Sequence, residues 1–145
     1  EGQVYAGGGM DLLYSRGQVD GNVRVEGGDL GNLTIHNVDG VAFAGDLSVA
    51  GDVGNVLLFG DMTGSVEATG EAQGQSGDIG RVQVIQGRIS TPGQAFADAA
   101  GDLGRFIIRS DDPEQAAIEG DLEVAERLGL LHAMGGAWQG TVTAG

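Results

Sequence analysis

The chain contains no cysteine, only two prolines and only seven aromatic residues in 145 positions. Without cysteine no disulfide holds the fold, whatever the compartment. Scarce proline and the lack of a three-residue glycine period exclude collagen, although glycine occurs 29 times. Basic residues are also few, 7 against 21 acidic ones, and no basic patch stands out in the sequence. Phosphate recognition needs clustered Lys and Arg, so no nucleic acid partner and no anionic lipid surface are expected. No apolar run approaches the roughly 20 residues of a membrane-spanning helix, so no membrane insertion is expected either.

What is present is glycine, short aliphatic runs and acid. Hydrophobic residues make up 41% of the chain, which argues against disorder, and the net charge of −14 favours solubility and opposes sideways clumping. The length suits one compact domain over 1–145. The chain opens at Glu1 without an initiator Met and without a visible signal peptide. That start fits a processed or excised product, and the expected location is extracellular or at the cell surface.

Self-similarity organises the sequence. GDLGNLTI starts at Gly28, GDVGNVLL at Gly51, GDIGRVQV at Gly77 and GDLGRFII at Gly101, at spacings of 23, 26 and 24 residues. A degenerate copy, ERLGLLHA, follows at Glu126, and a worn one, GGGMDLLY, precedes at Gly7. A second motif runs ahead of the first: GQVYAG at Gly2, GNVRVE at Gly21, GDLSVA at Gly45 and GDLEVA at Gly120, with weaker versions near Glu71 and Ala95. A third series follows the first motif, with GVAFA at Gly40, GSVEA at Gly64, GRIST at Gly87 and GTVTA at Gly140. Its remaining members start at Gly17 and near Ala116.

The aliphatic pairs Leu33/Ile35, Val56/Leu58, Val82/Val84 and Phe106/Ile108 are spaced by two, which puts both members of each pair on one face of a strand. The series Leu30, Val53, Ile79, Leu103 and Leu128 supplies a further apolar column. The expected fold is all-β: a right-handed, three-faced parallel β-helix of about six coils, each of about 24 residues, stacked at about 4.8 Å. Glycine serves the corners, where positive φ is often needed, and the Asp after it bonds its own turn. Glu119 to Leu131 has helical composition, but its alignment with the motifs assigns it to strands. Loops are expected at Gly70–Ser76, Thr91–Ala100 and Ser110–Gln115, where the period breaks.

Coils with Gly-Asp corners and aliphatic pairs resemble the parallel β-helix repeat proteins over the whole chain. The compact, all-coil form is similar to bactofilins and to repeat modules of secreted surface fibres and adhesins. That resemblance implies a filament-forming structural protein.

Chemistry is weighed against this frame. Asp29, Asp52, Asp78 and Asp102 should form a ladder along one corner; one carboxylate per coil is too few for calcium, so turn capping is expected and no metal. His36 and His132 stand far apart, without partners for a metal site or triad. Glu67, Glu71, Asp111, Asp112 and Glu114 are the candidates for a glycosidase-like carboxylate pair, but the aromatics that would hold sugar are scattered. Thr141-Val142-Thr143 occurs once, whereas an ice-binding face needs a ladder of such units. Neither an enzyme nor a cofactor is expected. Leu13, Leu57 and Ile107 read as outward apolar positions, covered by an inserted loop or by a neighbouring chain.

The motif order, second then first then third, reads as six whole coils from Gly2 to Gly145, so that a copy placed head to tail would continue the period. Neither end carries a polar cap, and open coils leave backbone and core exposed. The expected partner is therefore the chain itself, as a head-to-tail homopolymer. Val4, Tyr5, Leu12 and Leu13 would meet Leu131, Trp138, Thr141 and Val142 at the subunit interface. The alternatives are a segment of a longer adhesin or stalk β-helix and a glycan-acting enzyme.

Overall fold

The structure, a computed structural model, describes residues 3–72, 74–110 and 114–145. Among these there is no helix, and every strand pair is parallel. The chain winds as a parallel β-solenoid of about five turns. On the first face stack β1 (Val4–Ala6), β3 (Val23–Val25), β5 (Asp46–Val49), β7 (Ser65–Ala68), the later part of β9 (Ile89–Ala99), β11 (Ile118–Val124) and β14 (Val142–Ala144). On the second stack β2 (Met10–Ser15), the first half of β4 (Leu30–Phe43), β6 (Val53–Met62), β8 (Ile79–Ile85), β10 (Leu103–Arg109) and β12 (Leu128–Met134). The third face is thin. A column of Val19, Phe43, Met62, Ile89, Ile118 and Trp138 makes it, with β13 (Trp138–Gln139) as its last strand.

The aliphatic pairs all point inward, as their spacing requires. Leu33, Ile35, Val56, Leu58, Val82, Val84, Phe106 and Ile108 are fully buried, as are Leu30, Val53, Ile79 and Leu103 in the neighbouring column. Fully burying one such side chain contributes about 1.5–3 kcal/mol, and stacking repeats that gain coil after coil. Phe96 fills the space beside Phe106, with ring centroids 5.1 Å apart. Glu119 to Leu131 forms β11 and β12 rather than helix, because the motif alignment carries both strands into existing rungs.

Four details differ from the sequence reading. First, the earliest copy of the first motif starts one residue later, at Gly8: Met10 pairs with Leu30 and Leu13 with Leu33. A one-residue slip exchanges the faces of a strand, so Leu13 turns toward the core while Leu12 and Tyr14 turn outward. Second, the third series mixes two faces. Ser65–Ala68 pairs with β5 and Val142–Ala144 with β11, so GSVEA and GTVTA belong to the first face. The weak copy near Glu71 is in fact Ser65–Ala68, whereas the one near Ala95 is where it was expected. The first face thus holds seven strands and the second six, and the chain does not divide into six whole coils.

Third, Thr91–Ala100 is strand rather than loop for most of its length. Only Pro92–Gln94 bulges out, around Gly93 at φ 73°, and Phe96, Ala97 and Ala99 are buried. Alanine carries too little apolar area for the alternation to be conspicuous. The insert over Gly70–Ser76 has no strand in its described part and is pinned by Ala72 N–H to Ala50 O. Of the third insert, Asp111, Asp112 and Pro113 lie outside the described residues.

Fourth, positive φ accounts for corner glycines such as Gly60, Gly77 and Gly120, but not for a second recurring set inside the strands. Gly31, Gly54, Gly80, Gly104 and Gly129 form a column whose φ values are ordinary. A Cβ on Gly80 would lie 2.5 Å from the Gly54 carbonyl oxygen, and one on Gly104 equally close to Gly80. Glycine is required there because successive backbones approach too closely for any side chain.

Candidate functional site

Three features stand out: the two ends of the solenoid, the aspartate corner, and an uneven distribution of charge between faces.

The ends carry the exposed apolar surface. Every large hydrophobic residue that is strongly exposed among those described lies on the first or last rungs: Tyr5, Leu12 and Tyr14 at one end, Leu130, Met134 and Val142 at the other. The half-buried apolar residues packed on the core lie there too, Val4, Met10, Leu13 and Val19 against Leu128, Leu131 and Trp138. All eight predicted interface residues therefore sit on end rungs. Val4, Leu13, Leu131 and Trp138 face the open core, and Tyr5, Leu12 and Val142 face solvent. Thr141 is exposed, with its N–H and hydroxyl both donating to Asp121 Oδ1, at 2.9 and 3.0 Å. Sequence reasoning missed Met10, Tyr14, Leu130 and Met134; register with the buried columns would have found them.

Trp138 closes part of its end, its ring tilted against Phe96 at 6.0 Å and its indole N–H donating to Gly120 O. A shallow depression of about 610 Å³, bounded by Arg127, Leu128, Ala144 and Gly145, lies beyond the last rung. At the opposite end the Tyr5 hydroxyl donates to Glu26, which also pairs with Arg24 at 2.7 Å. Its hydrogen bond to that carboxylate and the negative charge push the Tyr5 phenol up.

The aspartates form the expected ladder, and their Oδ1 atoms bond across coils, while Asp78 Oδ2 also takes a donor from its own turn, the Ser76 hydroxyl at 3.0 Å. Asp29 Oδ1 accepts from Asp52 N–H, Asp52 Oδ1 from Gly77 and Asp78 N–H, and Asp78 Oδ1 from Asp102 N–H, at 2.7–2.9 Å. Asp102 closes the series by accepting from both the backbone and the guanidinium of Arg127, at 3.0 and 2.8 Å. The guanidinium hydrogen bond, more than its charge, holds the Asp102 carboxyl below the usual carboxylate range. The sequence offsets of 23 to 26 residues in these bonds are the motif spacings themselves. Two more corner residues act alike, Asn22 toward Asp46 N–H and Asp61 toward Arg88 N–H. Gln75, with its amide nitrogen turned to the ladder, donates to Asp29 and Asp52. No group of three or more metal-ligating side chains assembles among the described residues.

The other candidates do not converge. His36 and His132 share the second face but stand four rungs apart, and His36 stacks on Phe59 at 4.8 Å. Glu67 points outward from the first face, while Glu71 lines a depression of about 270 Å³ with Arg24 and Glu26. Glu114 is exposed on the third insert, and Asp111 and Asp112 lie outside the described residues.

Charge is sorted by face. On the first face the outward column that begins with Tyr5, Arg24 and Ser48 is acidic over its later rungs, where Glu67, Asp98 and Glu123 stack, while Arg24 is paired with Glu26. On the second, Arg81 stacks on Arg105, with Arg109 further along the same strand. The outward columns through Leu12, Tyr14 and His36 hold no Asp or Glu at any described rung, and the neighbouring column, otherwise made of glycine, carries Asp11. Outward Leu57 and Ile107 are half-exposed there, and the described inserts leave at corners between faces. Comparison with models of protein families, with curated proteins and with solved structures finds no match.

Proposed function

We propose that this chain is a structural protein, a solenoid subunit that assembles end to end with further copies of itself into a filament outside the cell or on its surface. One observation carries the reading: the strongly exposed large hydrophobics are confined to the first and last rungs. The middle of the solenoid offers its neighbours inward columns that are closed, whereas the end rungs offer open apolar core and unpaired strand edges. Such edges invite pairing with another strand. Stacking two ends would form about ten backbone hydrogen bonds at about 0.5–1.5 kcal/mol each, comparable with the cost of association of about 4–15 kcal/mol. The apolar end residues therefore decide the balance. In this reading the bactofilins and secreted fibre modules are the nearest analogy.

The strand count adds a condition. When the second face is continued directly, β2 of the next copy lies on β12, and its β1 arrives at the rung occupied by β14. The two strands are equivalent in sequence, QVYAG at Gln3 and TVTAG at Thr141. β14 is exposed at all three residues and pairs with β11 over those three alone, so it is the strand that yields.

β14 opens a further turn on the first face, which favours one second reading: a stretch of a longer stalk or adhesin whose own coils cover these ends. Negative-stain electron microscopy and size-exclusion chromatography of the purified 145-residue chain at low micromolar concentration separate the two. Filaments are expected; a monomer at every concentration, also after removal of residues 141–145, refutes end-to-end assembly.

A further inference from the structure

The two oppositely charged columns lie on different faces of one molecule and share one repeat. Arg81 and Arg105 are register partners on the second face, and Glu67, Asp98 and Glu123 are register partners on the first. None of the five forms an ion pair among the described residues. Each column stacks like charges about 4.8 Å apart, an arrangement that is unfavourable unless opposite charge is brought to it.

We propose that the second face is a lateral docking surface for the first face of another copy. Because both columns repeat with the same solenoid, sheets laid face to face at about 10 Å set guanidiniums against carboxylates rung by rung. The half-exposed Leu57 and Ile107, in the column beside the arginines, supply the apolar centre of the contact. The contact is heterologous: each copy keeps one free face of either kind, so association continues sideways instead of closing as a pair. The proposal does not depend on end-to-end stacking.

Size and charge predict how it behaves. Five rung steps by about four residues, the length of the first-face strands, give a footprint of about 300 Å² on each partner, below the usual range for a specific interface, so the contact is weak. The chain carries −14 overall, and copies repel at long range. At about 10 mM salt, where the screening length is about 30 Å, that repulsion wins. At about 0.15 M it falls to about 8 Å, which silences distant charges and spares the facing columns; at 1 M the columns are screened as well. Association therefore passes through a maximum near 0.15 M.

Sedimentation velocity of the whole chain across these three salt concentrations tests this. The expected result is a weight-average mass at least twofold higher at 0.15 M than at either extreme. R81E/R105E and E67R/D98R, both confined to outward positions, should each abolish the maximum with unchanged circular dichroism and melting temperature. Mixing the two variants should restore it, because every reversed face then meets its complement. If end-to-end filaments form as well, the charge reversals change their width and not their length. A monotonic salt dependence, or a maximum that survives R81E/R105E, overturns the proposal.

Discussion

Replacing Asp78 by Ala and by Asn separates the two things its carboxylate does. It accepts the Asp102 N–H at 2.7 Å and the Ser76 hydroxyl at 3.0 Å, and it sits between Asp52 and Asp102 on the ladder. Alanine removes the acceptor and strands an amide between coils, a loss of about 1–3 kcal/mol. Both substitutions remove repulsion from two neighbouring carboxylates, about 1 kcal/mol each at one rung spacing in a water-like dielectric and less in salt. Asparagine keeps the acceptor and loses only the charge assistance, about 1 kcal/mol. Asp78→Asn should thus match or slightly exceed wild type, and Asp78→Ala should fall below the asparagine variant by about 1–3 kcal/mol. Urea unfolding followed by circular dichroism, at 0.05 and 0.5 M salt, measures both. The comparison of the alanine with the asparagine variant is the decisive one, since charge is absent from each. Equal stability of the two would refute the claim that corner side chains tie one coil to the next.

Phe106→Ala should cost about 3–5 kcal/mol, because a fully buried ring that touches Phe96 is lost from a close-packed interior; denaturant titration reads it. Gly80→Ala places a methyl group against the Gly54 carbonyl and should destabilise by about 1–3 kcal/mol, although its φ is ordinary; Gly74→Ala, with open space around it but φ 82°, tests the opposite cause. Arg127→Ala should raise the Asp102 carboxyl toward the ordinary range, seen by carbon-13 NMR titration. The sign follows from linkage: a carboxyl depressed in the folded state adds stability above its unfolded pKa, and that increment fades as pH falls through the depressed value. In the variant, the acid limb of the stability profile should lose that portion. Leu12→Glu with Leu130→Glu sets like charges against each other where β2 of one copy meets β12 of the next, and should abolish end-to-end assembly while leaving the melting temperature within a few degrees, since both side chains are exposed.

The fold is legible in the sequence because its determinants repeat. Leu33 and Ile35 recur as Val56 and Leu58 and again twice more, so their shared burial follows from spacing alone. The third face is not legible, since it pairs through little more than Phe43, Met62, Ile89 and Ile118, too few residues to leave a pattern. GSVEA falls on a different face from the expected one for the same reason: a Gly followed by alternating apolar residues describes either face, and only pairing with Asp46–Val49 decides. Leu13 is displaced by a single residue because the glycine run before it offers three possible starts. The end rungs can be found from the sequence, because they follow from where the repeats run out of partners. The arginine column escapes notice although the motifs contain it. Arg81 and Arg105 hold the same place in GDIGRVQV and GDLGRFII, 24 residues apart, and look isolated until the coil is wound.

The corner bonds all run one way. Asp29, Asp52, Asp78 and Asp102 each receive a donor from the coil that comes later in the chain. A ribosome releases the N-terminal coils first, and each newly laid coil therefore presents acceptors before the donors they await have been made. The nascent chain meets a prepared landing site at every turn, and the winding can keep pace with translation. A solenoid bonded in the reverse sense would leave backbone amides waiting for the next coil, whereas here only side-chain carboxylates wait and each new amide is met as it is laid; the chain grows like brickwork, each course keyed to take the next.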